Sequence, residues 1–116
     1  MRTIKFRGKD IETGEWVYGD LIQRMGFMPS ILYPYEHDGK ICYAECAVKR
    51  ETVGQFTGLL DKNGKEIYEG DIYNYNNPNA IYCVGGRFAD NENRPSDVKV
   101  IGNIHDNPEL LEGGAE

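Results

Sequence analysis

The stretch GLLDKNGKEIYEGDIY, residues 58–73, decides the fold. It sets carboxylates, Asn63, two lysines and two tyrosines among three glycines. Such a composition fits an active site, a metal loop or a plain β-turn, and the spacing separates them. A calcium loop opening at Asp61 needs glycine at its sixth position, whereas Gly64 is the fourth residue. A phosphate-binding loop fails as well, because its glycine spacing and its Lys-Ser/Thr pair are missing. What remains is a hairpin. Asp61 accepts hydrogen bonds from the turn amides, Asn63-Gly64 tolerate left-handed dihedrals, and apolar runs flank both sides.

The return strand of that hairpin has a counterpart near the N-terminus. TGEWVYGDLI (13–22) and NGKEIYEGDIY (63–73) share the order Gly, Tyr, Gly-Asp, aliphatic, with Glu69 added in the second copy. An inserted residue beside glycine is what a β-bulge requires. The pair predicts two β subdomains of similar build, residues 1–56 and 57–116; shared turn chemistry without common origin is the alternative. The fold class expected is mainly β, with one short helical turn at the C-terminus.

Between and beyond these hairpins the chain alternates strands and turns. IKFRG opens with Ile4 and Phe6 on one face and Lys5 and Arg7 on the other, and DIETGE turns at Gly14. QRMGFMPS is punctuation. SILYPY is a short strand that Pro34 either ends or confines to an edge, and EHDG is a turn. KICYAECAV is a strand whose even face, Cys42, Ala44, Cys46 and Val48, is small and apolar; a helix is the competing reading. ETVGQFTG is a strand broken by Gly54 and Gly58, NYNNPNA a polar turn, IYCVGGRF a strand, and ADNENRPSD a flexible loop. VKVIGNI places Val98 and Val100 on one face. In DNPELLEGGAE, Asn107 caps, Pro108 takes the first helical position, and Leu110 and Leu111 anchor one turn on the sheet.

Composition bounds the function. The 116 residues suffice for a core without metal or disulfide staples, and no apolar run is long enough to span a bilayer. A cytosolic protein is expected. Net charge −6 opposes a phosphate backbone unless cations are segregated. Arg2, Lys5, Arg7 and Lys9 could form such a row, although the solvated outer face of an edge hairpin accounts for them too. Three cysteines are an odd number. In a strand, Cys42 and Cys46 lie about 13 Å apart, too far for joint ligation or a disulfide. Free thiols, no metal and no cofactor are expected.

Chemistry-bearing candidates are few. Glu69 and Asp71 would share a strand face beside Tyr68, as paired carboxylates for hydrolysis would; solvated acids at a glycine bend are the alternative. His37 and His105 have no sequence neighbours that mark a nucleophile or base. No catalytic residue is assigned, and a non-enzymatic role is expected. Tyrosine gives the stronger signal. Tyr33 with Tyr35, and Tyr73 with Tyr75, are spaced to share strand faces and could offer a partner surface; core packing with hydroxyls at the rim competes. A protein partner, including a second copy in a homo-oligomer, fits the acidic chain best. Nucleic-acid binding by a small barrel is the runner-up.

The chain resembles the YopX-like proteins carried by phages and prophages. TVGQFTGLLDKNGKEIYEGDIY (52–73) and VIGNIHDNPELL (100–111) look like that family's two signature segments, and RTIKFRGKDIETGEWVYG like its opening. The resemblance implies a mostly β protein whose C-terminal part is a small, partly open SH3-like barrel, in a mobile-element setting. It brings no catalytic residues.

Overall fold

The computed structural model describes residues 4–75, 81–85 and 97–113. The chain divides into two compact units, residues 3–55 and 56–116.

In the first unit, β1 (Phe6–Lys9) and β2 (Trp16–Ile22) form the opening hairpin. Its turn is made by Asp10 and Thr13, whose side chains accept from the amides of Glu12 and Glu15, and by Gly14 at φ 76°. β3 (Ser30–His37) and β4 (Lys40–Ala47) form the next, and the strands follow the order β4-β3-β2-β1. The ladder then closes on itself. Ile11 N donates to the Ala47 carbonyl at 3.1 Å, Lys49 N to Lys9 O at 2.8 Å, and Asp10 bridges Val48. A single 3-10 turn, Arg50–Thr52, is pinned by Thr52, whose Oγ1 accepts from Lys9 N and donates to Lys49 O. Ile31 and Val48 are fully buried here. Gly19 has no room for a side chain, since a Cβ would lie 2.1 Å from the Leu32 carbonyl.

β5 (Gly54–Leu60) begins in this unit, pairing Gly54 and Gln55 with Arg7 and Phe6, and continues in the second. There it meets β6 (Glu66–Tyr68) across the 61–65 loop. β7 (Asp71–Asn74) is central to another antiparallel sheet, between β8 (Tyr82–Cys83) and β9 (Lys99–Asn103). The chain ends in α1 (Glu109–Gly113). Ile67, Tyr73, Val84, Val98 and Val100 form the second unit's core, with Leu59 and Tyr75 packed against it.

The mainly β class stands: among the described residues the sheets are antiparallel and the one α-helical turn is α1. KICYAECAV is a strand, not a helix, and its even face is the more buried one. The 61–65 hairpin loop also stands, with Gly64 at φ 83°. Several details differ. EIYEGDIY is not one bulged strand: Glu69 and Gly70 (φ 91°) are a turn, and the residues on either side join different strand partners. The irregularity lies across the hairpin, where β5 shifts register between Phe56 and Leu60 around Gly58 (φ 89°). The two Gly-Asp copies therefore do different work. Gly19-Asp20 is the middle of β2, a close-approach site, while Gly70-Asp71 is a corner.

β1 is no edge. It has neighbours on both sides, β2 and β5, and Arg7 is buried. Of the two roles expected for Pro34, the edge is the one found: β3 runs on to His37, and at Pro34 it pairs with β4 and no longer with β2. Asn107 Oδ1 accepts from Asn103 N, behind it, so the helix starts on Asn107's carbonyl, which receives Leu110 N. Leu110 is half-buried, but Leu111 is exposed. The polar turn at 76–80 and the loop at 86–96, with the end of the IYCVGGRF strand, lie outside the described residues.

Candidate functional site

Two carboxylates of residues 58–73, Asp61 and Asp71, are engaged by backbone amides. Asp61 Oδ1 accepts from the amides of Asn63 (2.8 Å) and Lys65 (2.9 Å), and its Oδ2 from Val100 N at 3.0 Å. Burial raises the carboxyl pKa, but these amides and the Lys65 charge outweigh it, so the net shift is downward. Asp71 is buried, and its Oδ2 accepts from Tyr68 N at 2.8 Å. Glu69 stands in the turn before it, so the pair does not share a strand face. These carboxylates hold a hairpin loop and a chain corner. Among the described residues no three His, Cys, Asp or Glu side chains gather as metal ligands.

The basic row is drawn onto an aromatic ring. The Arg7 guanidinium lies 4.5 Å from the Trp16 ring centroid and the Lys9 ammonium 5.5 Å from it. Trp16 stands opposite Lys9 in the β1–β2 register, which places the ring beside both cations. Arg7 is only 5% exposed. Arg2 lies outside the described residues.

The four tyrosines separate. Tyr73 is a core residue, 5% exposed, and burial raises its phenol to about 12. Its ring stacks on Tyr82 (5.4 Å between centroids), and Tyr75 meets both edge-on. Tyr73 and Tyr75 pack into the second unit's core while Tyr82 is 43% exposed, so Tyr73 offers almost no area to a partner. Tyr33 is half-buried and Tyr35 exposed, on β3.

Tyr35 belongs to a projecting arm. β2 pairs with β3 only as far as Leu32, so β3 beyond that residue has β4 as its single neighbour. Asp38-Gly39, at φ 51° and 74°, join them in a two-residue turn of the kind that matches strand twist. A two-stranded ribbon has two faces and cannot bury both. Ile41 is 63% and Tyr43 67% exposed, on the face opposite Tyr35.

A second exposed apolar group lies on the loop from β2 to β3. Phe27 N donates to Arg24 O at 3.1 Å and Gly26 takes φ 83°, a tight turn that lifts Met25, Phe27 and Met28 outward. Met25 is 99% and Phe27 68% exposed. The loop is held from beside. Arg24 makes a bidentate pair with Glu45 (2.6 and 3.2 Å), and Arg50 Nη2 donates to the Phe27 carbonyl at 3.2 Å. That pairing lowers the Glu45 carboxyl pKa. Arg24, Met25, Phe27, Pro29 and Arg50 line an open hollow of about 310 Å³.

Sequence reasoning missed this surface. In the sequence QRMGFMPS reads as punctuation, and on β4 the small even face stands out. The signals were present, in three large apolar residues around one glycine and in Ile41 and Tyr43 on the odd face. Large apolar side chains exposed together are the kind of surface on which contacts can form.

Among the described residues no helix is long and apolar enough to cross a membrane. A solved structure, the crystal structure of protein EF1440 from Enterococcus faecalis, is similar at a TM-score of 0.58 and 26% identity, over 96% of this chain and 99% of that one. No curated protein matches. The model of the YopX protein family matches residues 5–85, which takes in the 52–73 segment and leaves 100–111 beyond its end. With most of its length matched, including the opening strands and the hairpin of residues 58–73, the chain belongs to the YopX protein family.

Proposed function

We propose that this protein is a non-enzymatic interaction module that binds protein, its own copies included, through the arm and the apolar loop of its first unit. One observation carries the reading: Met25, Phe27, Met28, Tyr35, Ile41 and Tyr43 are all exposed on those two elements. Aromatic and methionine side chains are the residue types that protein interfaces favour. Methionine also adapts to varied partners. The resemblance to phage and prophage proteins supports an accessory role in a mobile element. Two features favour protein over nucleic acid. The net charge is −6, and the central cation of the basic row lies against Trp16.

The test compares the wild type with a variant carrying Met25→Ser, Phe27→Ser, Ile41→Thr and Tyr43→Thr. Light scattering over a concentration series and affinity capture from host lysate are read together. The wild type self-associates or retains a partner that the variant loses. A wild type that is monomeric throughout and captures nothing sinks the reading.

A further inference from the structure

The two edges of the arm are not equivalent. In a two-residue hairpin the flanking residues, His37 and Lys40, form a hydrogen-bonded pair, and bonded pairs then alternate along the ribbon. Cys42, Ala44 and Cys46 therefore turn their backbone groups toward β3, while Ile41, Tyr43, Glu45 and Ala47 turn theirs outward. An independent contact fixes the same phase, since the Ala47 carbonyl accepts from Ile11 N on that outer side. On β3 the outward positions past Leu32 are Pro34 and Glu36. Pro34 has no N–H and Glu36 carries a charge, two of the ways an edge is protected from pairing. The β4 edge has neither device at Ile41 and Tyr43, and both side chains are exposed.

We infer that the outer edge of β4 pairs antiparallel with the same edge of a second copy, about a two-fold axis through Cys42. This rests on the interaction reading above and specifies its partner and geometry. The axis is chosen by what each register brings together. With Cys42 at the centre, Ile41 lies opposite the partner's Tyr43 and Tyr43 opposite the partner's Ile41. Both outward residues of each copy then exchange backbone hydrogen bonds, and their exposed apolar side chains cover one another. On the other face Cys42 lies opposite the partner's Cys42, and Lys40 opposite the partner's Ala44. No like charges face each other across the pair, which like-charged cross-strand neighbours would oppose.

Length selects a second copy over a foreign strand. The usable edge is short, bounded by the 38–39 turn at one end and by Ile11 on Ala47 at the other. A long added strand would run into Ile11. The partner's β4 does not, because its own turn falls beside Glu45, short of Ala47. At that end of the edge Arg24 pairs with Glu45, while Asp10 and Glu12 lie on the Cys46 side of the strand.

Two variants and one crosslink test the inference. Tyr43→Pro removes an N–H that β3 does not use, so it should abolish the dimer in light scattering while the circular dichroism and melting temperature stay close to wild type. Ile41→Glu serves if the proline variant fails to fold, since it sets two carboxylates against the partner's tyrosines and should also give a monomer. In the non-bonded antiparallel position, facing Cα atoms lie about 4.5 Å apart, within disulfide range. Mild oxidation should thus crosslink the wild type through Cys42 alone, retained in Cys46→Ser and Cys83→Ser and lost in Cys42→Ser. A dimer that survives both edge variants, or a crosslink that needs Cys83, overturns the edge pairing. If that dimer instead falls to Met25→Ser with Phe27→Ser, the broader interaction reading stands without it. A wild type monomeric at every concentration overturns the pairing, and the capture experiment then judges the broader reading by itself.

Discussion

At the scale of single residues, Asp61 reads in the sequence as a turn residue, and the fold gives its carboxylate a third amide, from Val100 on β9. It gathers three backbone amides from two separate segments. Asp61→Ala strands those donors and should cost about 3 kcal/mol or more by urea denaturation, while Asp61→Asn, keeping one acceptor oxygen, should cost about half that. The pH dependence follows from the sign of the shift. The folded pKa lies below the unfolded one, so the contribution is complete above the ordinary carboxylate range and disappears as pH falls through the folded value. The Asn variant should accordingly show a flatter stability profile in acid; an unchanged slope would contradict the assignment. Gly19 makes a similar point by exclusion. Gly19→Ala forces a methyl onto the Leu32 carbonyl and should destabilise by about 2 kcal/mol or more. Cys46 is the chemically quiet thiol, pushed up to about 11 by burial, then by Asp10 and Glu12. Alkylation mapped by mass spectrometry should find it slow at neutral pH, because the thiolate is the reactive form.

At the scale of elements, what the sequence revealed depended on how local the cause was. Turn chemistry is local, and Gly14, Asp61 with Gly64, and Asp38-Gly39 stand where their side chains or missing side chains put them. Alternation is local too, so Val98 and Val100 share a face as expected, and that face is the buried one. Pairing is not local. The Glu69-Gly70 insertion looked like a bulge because the residues around it keep a strand pattern, but β6 and β7 have different neighbours, and a corner serves that switch. Arg7 looked solvated because charge suggests exposure, whereas Trp16 across the hairpin provides a cation–π partner. The apolar loop at 25–28 was hidden by its own turn signals. The arm's turn gives a clean prediction. A Cβ on Gly39 meets nothing within 4 Å, so Gly39→Ala costs only the strain of φ 74°, about 1 kcal/mol. Faster amide exchange should be confined to residues 35–42, and a global loss of stability would mean that the arm is not the separate ribbon described.

At the scale of the whole molecule, a net charge of −6 sets copies of the chain against one another, so the self-association proposed above would have to come from uncharged surface. The arm and the loop supply it, and both belong to the first unit. Raising the salt concentration should therefore leave self-association unchanged or strengthen it, because screening removes repulsion between copies and apolar contact is not screened. A steep weakening with salt would instead mark an ionic interface. The most direct measurement is amide hydrogen exchange followed across a protein dilution series. Ile41 and Tyr43, whose N–H groups β3 leaves unused, should be protected at high concentration and lose that protection on dilution, with the 23–29 loop slowing alongside them and the core of the second unit unaffected. Exchange at these positions that is fast at every concentration would contradict the account.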